Sequence, residues 1–156
     1  MNKEERFITG LRSLFDKLVW LNKIKMEDAL KGYTPSEIHC IEYIGRNADA
    51  NVTRLAESFF MTNGAISKIA KKLIKKGTII SYRKPDNKKE IYFCLTPQGN
   101  ELFKVHETLH DEFYERDKAV FGQVTGEEFD GMLNLIEKYN KHLDAEIKKQ
   151  SVNNKE

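Results

Sequence analysis

The sequence predicts a mainly α chain that is interrupted once by a short β-hairpin. Three observations predict it. Apolar residues recur three and four positions apart through both end segments, the period of a helix with one buried face. Thr34-Pro35-Ser36-Glu37 and Thr125-Gly126-Glu127-Glu128 are capping boxes, in which a threonine and a glutamate satisfy the free amides at a helix start. Between them, residues 78–83 and 91–95 are rich in β-branched and aromatic side chains. They flank the turn-forming Lys84-Pro85-Asp86-Asn87-Lys88.

The first predicted helix covers residues 7–30, with Phe7, Leu11, Leu14, Phe15, Leu18 and Leu21 on one stripe and Gly32 as its stop. The second starts at the Thr34 cap, where Pro35 suits the first helical position, and runs to Ile44. Gly45 and residues 46–51 then read as a polar loop. Asn51 caps a short third helix carrying Leu55, Ala56 and Phe59. After a turn at residues 60–62, a fourth helix covers residues 63–76 with Ile66, Ile69, Ala70 and Leu73 inward, and Gly77 ends it. The hairpin follows, with a polar and basic tip. Thr96-Pro97 opens a fifth helix with Leu102, Val105, Leu109 and Phe113 on one stripe. The Thr125 box opens the last, with Phe129, Met132, Leu133, Ile136, Leu143 and Ile147. The polar tail from Gln150 reads as frayed.

Composition narrows the function classes. The chain has 156 residues and 40% apolar content with only 3 prolines and 9 glycines, which excludes disordered and fibrous classes. It is long enough for one compact domain or two fused small modules. No apolar run is long enough for a membrane span. The start, Met1-Asn-Lys-Glu-Glu-Arg6, lacks the apolar core of a signal peptide. Cys40 and Cys94 lie far apart without ligand spacing, so a reducing, cytoplasmic setting is expected. The net charge is only +2, but residues 62–89 hold nine basic residues against one acid. That window is +8 and leaves −6 on the other 128 residues. An acidic body with one basic module is how a protein addresses a polyanion with part of its surface. The competing reading is a solvated helix face.

Two helices at helix–turn–helix spacing, followed at once by a basic hairpin, form a DNA-binding arrangement in which the second helix enters the major groove. The long end helices carry apolar stripes too large for one small domain to cover. A second copy of the chain would bury them and present two recognition helices to a two-fold site.

Val52-Thr-Arg-Leu-Ala-Glu57, Thr62-Asn-Gly-Ala-Ile-Ser-Lys68, Leu73-Ile-Lys-Lys-Gly77 and Leu95-Thr-Pro-Gln-Gly99 resemble, without a gap, the run typical of the MarR family of bacterial transcriptional regulators. The resemblance implies a winged helix–turn–helix DNA-binding module, residues 34–95, on a helical dimerisation body, residues 1–33 and 96–149, with 150–156 as a tail. It implies a homodimer on a pseudo-palindromic operator, acting as a repressor under a small-molecule or metal effector. By family position Thr62, Asn63, Ala65, Ser67 and Lys68 face the groove. Their chemistry suits bases, since asparagine pairs with adenine, lysine donates to guanine and alanine touches a thymine methyl. Lys71, Lys72 and Arg83 read as phosphate contacts, and Asn87 and Lys88 as the wing tip. The sequence departs from the pattern at Phe60, where the family often has glycine or a polar residue. It departs again at Asn87-Lys88-Lys89, where the wing usually carries Asp-Arg-Arg. Lysine keeps the charge and loses the planar fork that reads a narrow minor groove.

His106-Glu107-Thr108-Leu109-His110 is a literal H-E-x-x-H, the zinc-peptidase pattern, so the alternative function is a zinc-dependent hydrolase. The fifth helix belongs by resemblance to the dimer body, which argues against it. The same two histidines match the spacing in the zinc-responsive branch of the family. His39 resembles a further ligand, and Glu27 and Asp28 stand where that branch has an acid. Three imidazoles and a carboxylate satisfy tetrahedral zinc. The other reading is a histidine cluster that only packs and hydrogen-bonds. Cys40, among Ile38, Ile41 and Ile44, reads as a small hydrophobe or a redox sensor.

Overall fold

A computed structural model describes residues 1–153. The order is α1 (Lys3–Ala29), α2 (Pro35–Arg46), β1 (Ala50–Asn51), α3 (Val52–Phe59), α4 (Asn63–Lys75), β2 (Ile79–Lys84), β3 (Asn87–Leu95), α5 (Pro97–Phe121) and α6 (Gly126–Asn153). Packing divides the chain into two compact units, Met1–Phe113 and Tyr114–Glu156.

In the first unit the caps behave as the sequence predicts. Thr34 and Glu37 exchange side-chain-to-backbone bonds at the start of α2, and Asn51 accepts from the Arg54 amide at the start of α3. A box at the first helix was not foreseen: Asn2 and Glu5 cap each other, so α1 begins at Lys3 rather than residue 7. Gly45 corrects the expected loop. It lies inside α2, and the absence of a Cβ there leaves room for the Phe103 ring of α5, which a Cβ would approach to 2.6 Å. The glycine marks close packing rather than a break. At the other end of the module Gly77, with φ +76, ends α4 by letting the Thr78 amide return to the Leu73 carbonyl.

The hairpin is tighter and better supported than predicted. β3 begins at Asn87, so the turn is Pro85-Asp86. A third strand was missed: β1 pairs antiparallel with the base of β3, Ala50 with Phe93 and Asn51 with Tyr92, giving the order β1-β3-β2. Two residues are too few for a period to show in sequence. The core beneath the sheet holds Ile41, Leu55, Ile66, Leu73 and Ile79, all essentially inaccessible. By contrast α1 buries no residue of its own, although Phe15 and Trp20 lie on it.

The second unit is the end of α5 and the whole of α6, joined at a turn where Thr125 and Glu128 form the predicted box. Phe121 packs against Tyr114 and Phe129 at ring distances of 6.2 and 6.1 Å. No residue between 114 and 151 is buried. Helix α6 extends through Asn153, past the start of the tail expected at Gln150; the rest of that tail lies outside the described residues.

Candidate nucleic-acid interface

Helix α4 is positioned from both ends. At its start the chain turns sharply: Phe60, the last residue of α3's cap, takes φ +54, and the Met61 amide returns to the Ala56 carbonyl. Thr62 then accepts a bond from the Ala65 amide as N-cap, leaving its hydroxyl hydrogen available to an outside acceptor. Ile66, Ala70 and Leu73 are buried. The opposite face follows from the helical period: Gly64, Lys68, Lys71 and Lys75, spaced four, three and four, form one exposed stripe. Lys72 and Asn63 are exposed beside it, and Ala65 and Ser67 are half-buried on its flank. Gly64 presents bare backbone in the first turn, and a Cβ there would meet nothing closer than the Thr62 Oγ1 at 4.0 Å.

The stripe sorts the basic residues that charge counting could not. Lys75 belongs on it and was missed. The signal was present, since 68, 71 and 75 repeat at helical spacing. Lys76, in contrast, is engaged elsewhere. Its ammonium donates to the Glu37 carboxylate and the Gly32 carbonyl, both at 2.7 Å, and lies 4.7 Å from the Tyr33 ring centre. Glu37 is 3% exposed. Burial pushes its carboxyl up, but the bonds from Lys76 and Thr34 outweigh this and hold it below the ordinary value.

The wing's cations are also partly committed. Lys84 pairs with Asp49, and an Arg83 guanidinium nitrogen donates to the Lys88 carbonyl at 2.6 Å across the hairpin. The Asn87 side-chain oxygen accepts from the amides of Lys89 and Glu90, so this residue shapes the start of β3. Lys88 and Lys89 are exposed at the tip.

The histidines form a second cluster within the first unit. His106 and His110, one turn apart on α5, approach to 3.1 Å between Nε2 atoms. Glu42 of α2 places a carboxylate oxygen 3.8 Å from His106 Nδ1. Glu42, His106 and His110 offer ligand atoms within 4.8 Å of one another and could coordinate a metal. His106 is 2% exposed, and its Nδ1 has no hydrogen-bond partner among the described residues. Burial lowers its pKa; Glu42 opposes this, and the charges of His110 and His39 add to it. The other sequence candidates stand apart from this triad. His39 is exposed and stacks on Phe59, while Glu27 pairs with Lys23 of α1 and Asp28 with Lys31 just beyond it. The acid beside the histidines is thus Glu42, on α2. Glu107, which the H-E-x-x-H pattern would make a general base, pairs instead with Arg46.

Comparison with known proteins agrees with this arrangement. The MarR family model matches residues 33–91, which span α2 to the middle of β3. Among curated relatives, the uncharacterized HTH-type transcriptional regulator YhjH of Bacillus subtilis is 37% identical over 109 residues, covering 69% of this chain and 62% of its own. The HTH-type transcriptional regulator PchR of the same organism is 35% identical over 111 residues, covering 71% and 66%. The chain therefore spans a little under two thirds of the length of these relatives. Among solved structures, Streptococcus pneumoniae FabT in complex with DNA superimposes with a TM-score of 0.79 at 19% identity, over 92% of this chain and 99% of that one. Family model, relatives and fold agree, and the chain belongs to the MarR family of winged helix–turn–helix transcriptional regulators, not to a family of enzymes.

Proposed function

We propose that the chain is a DNA-binding repressor that acts in the cytoplasm as a homodimer on a pseudo-palindromic operator. The observation that carries this reading is the α4 stripe. Bare backbone at Gly64 and the cations of Lys68, Lys71 and Lys75 stand on one exposed face, opposite a face that is fully buried. A helix so arranged suits a major groove, with Asn63, Ala65, Ser67 and Lys68 nearest base edges and Lys71, Lys72 and Lys75 along the phosphates. In this reading residues 34–95 meet the DNA, with Thr62, Arg83, Asn87 and Lys88 at its margins. Residues 1–33 and 96–149 meet the second copy. The absence of buried residues along α1 and from 114 to 151, despite apolar side chains such as Trp20, Phe15 and Leu133, supports a partner for both. The test is fluorescence anisotropy on duplexes from the chain's own upstream region, with mass measured by light scattering. A monomer that shows no retention of that DNA at low salt refutes the proposal. Retention should weaken steeply with salt, because several phosphates are neutralised together.

A second element concerns the effector. We propose that Glu42, His106 and His110 hold a divalent metal, zinc by ligand type. The unpartnered, buried His106 Nδ1 favours this over a cluster that merely packs. When bound, the ion supplies a positive bridge between α2 and α5. Metal analysis of tag-free protein, and zinc titration of parent and His106→Ala, decide it. Identical metal content and DNA affinity in both would leave an organic effector, or none.

A further inference from the structure

The upper part of the wing has little to hold it. β1 supports β3 only at Tyr92 and Phe93, so beyond that level β2 and β3 form a bare two-stranded arm. Such an arm is marginal in water and sets no direction for its tip by itself. The ladder is also interrupted at this level. Tyr82 pairs with Tyr92, but the next pairing joins Lys84 to Asn87, so the register shifts between Tyr82 and Lys84.

Both residues that flank the shift reach the same group. The Tyr82 hydroxyl donates to one carboxylate oxygen of Asp49 at 2.9 Å, and the Lys84 ammonium reaches the other at 2.6 Å. They can do so because residues two apart on a strand project from one side. Lys84 also lies 4.9 Å from the Tyr92 ring centre, and the Tyr82 and Tyr92 rings are 5.6 Å apart. Asp49 is itself held. It adopts φ +58, a left-handed conformation that aspartate tolerates better than most side chains, and its carbonyl accepts from Arg54 of α3 at 3.1 Å. A continuous set of contacts therefore runs from the first turn of α3 through Asp49 to both sides of the irregularity in the wing.

We infer that Asp49 is a positioning residue. Its carboxylate latches the wing at the register shift, so that Lys88 and Lys89 meet DNA from one preset direction. The inference rests on the DNA-binding reading for its purpose and on the hydrogen-bond geometry for its substance. It also bears on the missing wing arginine. A lysine-tipped wing has no planar fork, and its discrimination then depends on where the arm places a compact charge.

The test uses the full-length chain with Asp49→Gly, which keeps the positive φ and removes the carboxylate, and Asp49→Asn, which keeps an acceptor for Tyr82 and loses the ion pair. Amide hydrogen exchange of residues 84–90 is read in DNA-free protein. Affinity is read on duplexes that share one core and differ only in A/T-rich or G/C-rich flanks. The latch requires exchange to quicken about tenfold or more in Asp49→Gly, less in Asp49→Asn, with the protection of α4 unchanged. It requires the flank preference to fall about three- to tenfold, and Lys88→Ala to add little further loss in the Asp49→Gly background. Unchanged exchange at residues 84–90 overturns the latch whatever the DNA result. Faster exchange with flank preference intact overturns its role in recognition. A parent chain that retains no DNA would instead refute the DNA-binding reading, and the exchange measurement would still decide the latch.

Discussion

Lys76→Met separates two uses of positive charge in this protein. The substitution keeps most of the apolar stem and removes the ammonium, which serves Glu37, the Gly32 carbonyl and the Tyr33 ring. Glu37 would remain 4% exposed at its side chain, with one oxygen still bonded to the Thr34 amide and the other abandoned. Removing one partner of a buried pair costs about 3–5 kcal/mol. The Thr34 bond persists and the Lys76 side chain is 35% exposed, so about 2–3 kcal/mol is expected here. For a chain of this length that corresponds to a fall of roughly 4–12 °C in Tm. The sign with pH follows from Glu37. Its folded pKa lies below the ordinary 4.5, so the pair's contribution is complete above that value and is lost as pH falls through the folded pKa. Parent and variant should therefore differ most at neutral pH and converge in acid. Adding Glu37→Gln, which keeps the capping geometry without a charge, should recover most of the loss. Urea unfolding followed from pH 7 down through the acid range below 4.5 measures all of this. The DNA arm is equally specific: Lys75→Ala should lower the salt slope of binding by about one and Lys76→Met should leave it unchanged. A Lys76→Met variant within 0.5 kcal/mol of the parent at pH 7, or one with a reduced salt slope, refutes the reasoning.

Four further outcomes follow from local geometry. Gly99→Ala places a Cβ 2.0 Å from the Thr78 carbonyl oxygen, which already accepts from Thr96; the clash should exceed the helical gain of alanine and destabilise by about 2 kcal/mol in urea unfolding. Gly10→Ala, with nothing within 4 Å, should instead stabilise by up to about 1 kcal/mol. Phe60→Gly relieves a left-handed phenylalanine that is 73% exposed and packs little, so Tm should rise by about 2–4 °C, and a fall would show that Phe60 has an unrecognised contact. Burial, assisted by Glu37, pushes the Cys40 thiol up to about 11; with 2% exposure it should react with a thiol reagent at pH 8 only once the protein is unfolded.

Much of the fold was legible because its signals are local. The capping boxes at Thr34 and Thr125, the stop at Gly77 and the stripe Ile66, Ala70 and Leu73 each depend on residues within a turn or two of one another. Gly45 misled for the converse reason. Its role is set by Phe103, 58 positions away in sequence, and no window of local propensity contains that contact. Strand β1 failed on length and the Asn2 box on weak periodicity nearby.

The binding site shows the same division at the level of charge. Nine cations in one window announced a polyanion surface, yet the count could not say which of them reach it. Three of the answers come from partners brought close by the fold or by strand pairing: Glu37 claims Lys76, Asp49 claims Lys84, and the Lys88 carbonyl claims a nitrogen of Arg83. In the same way Glu42, rather than Glu27 or Asp28, meets the histidines. What survives as an uninterrupted outward set is Lys68, Lys71 and Lys75. Their shared face was readable from spacing, because a helix converts a sequence interval of three or four into adjacency. Periodicity thus identifies which cations point together, and only the tertiary fold identifies which are already spent on holding it in place.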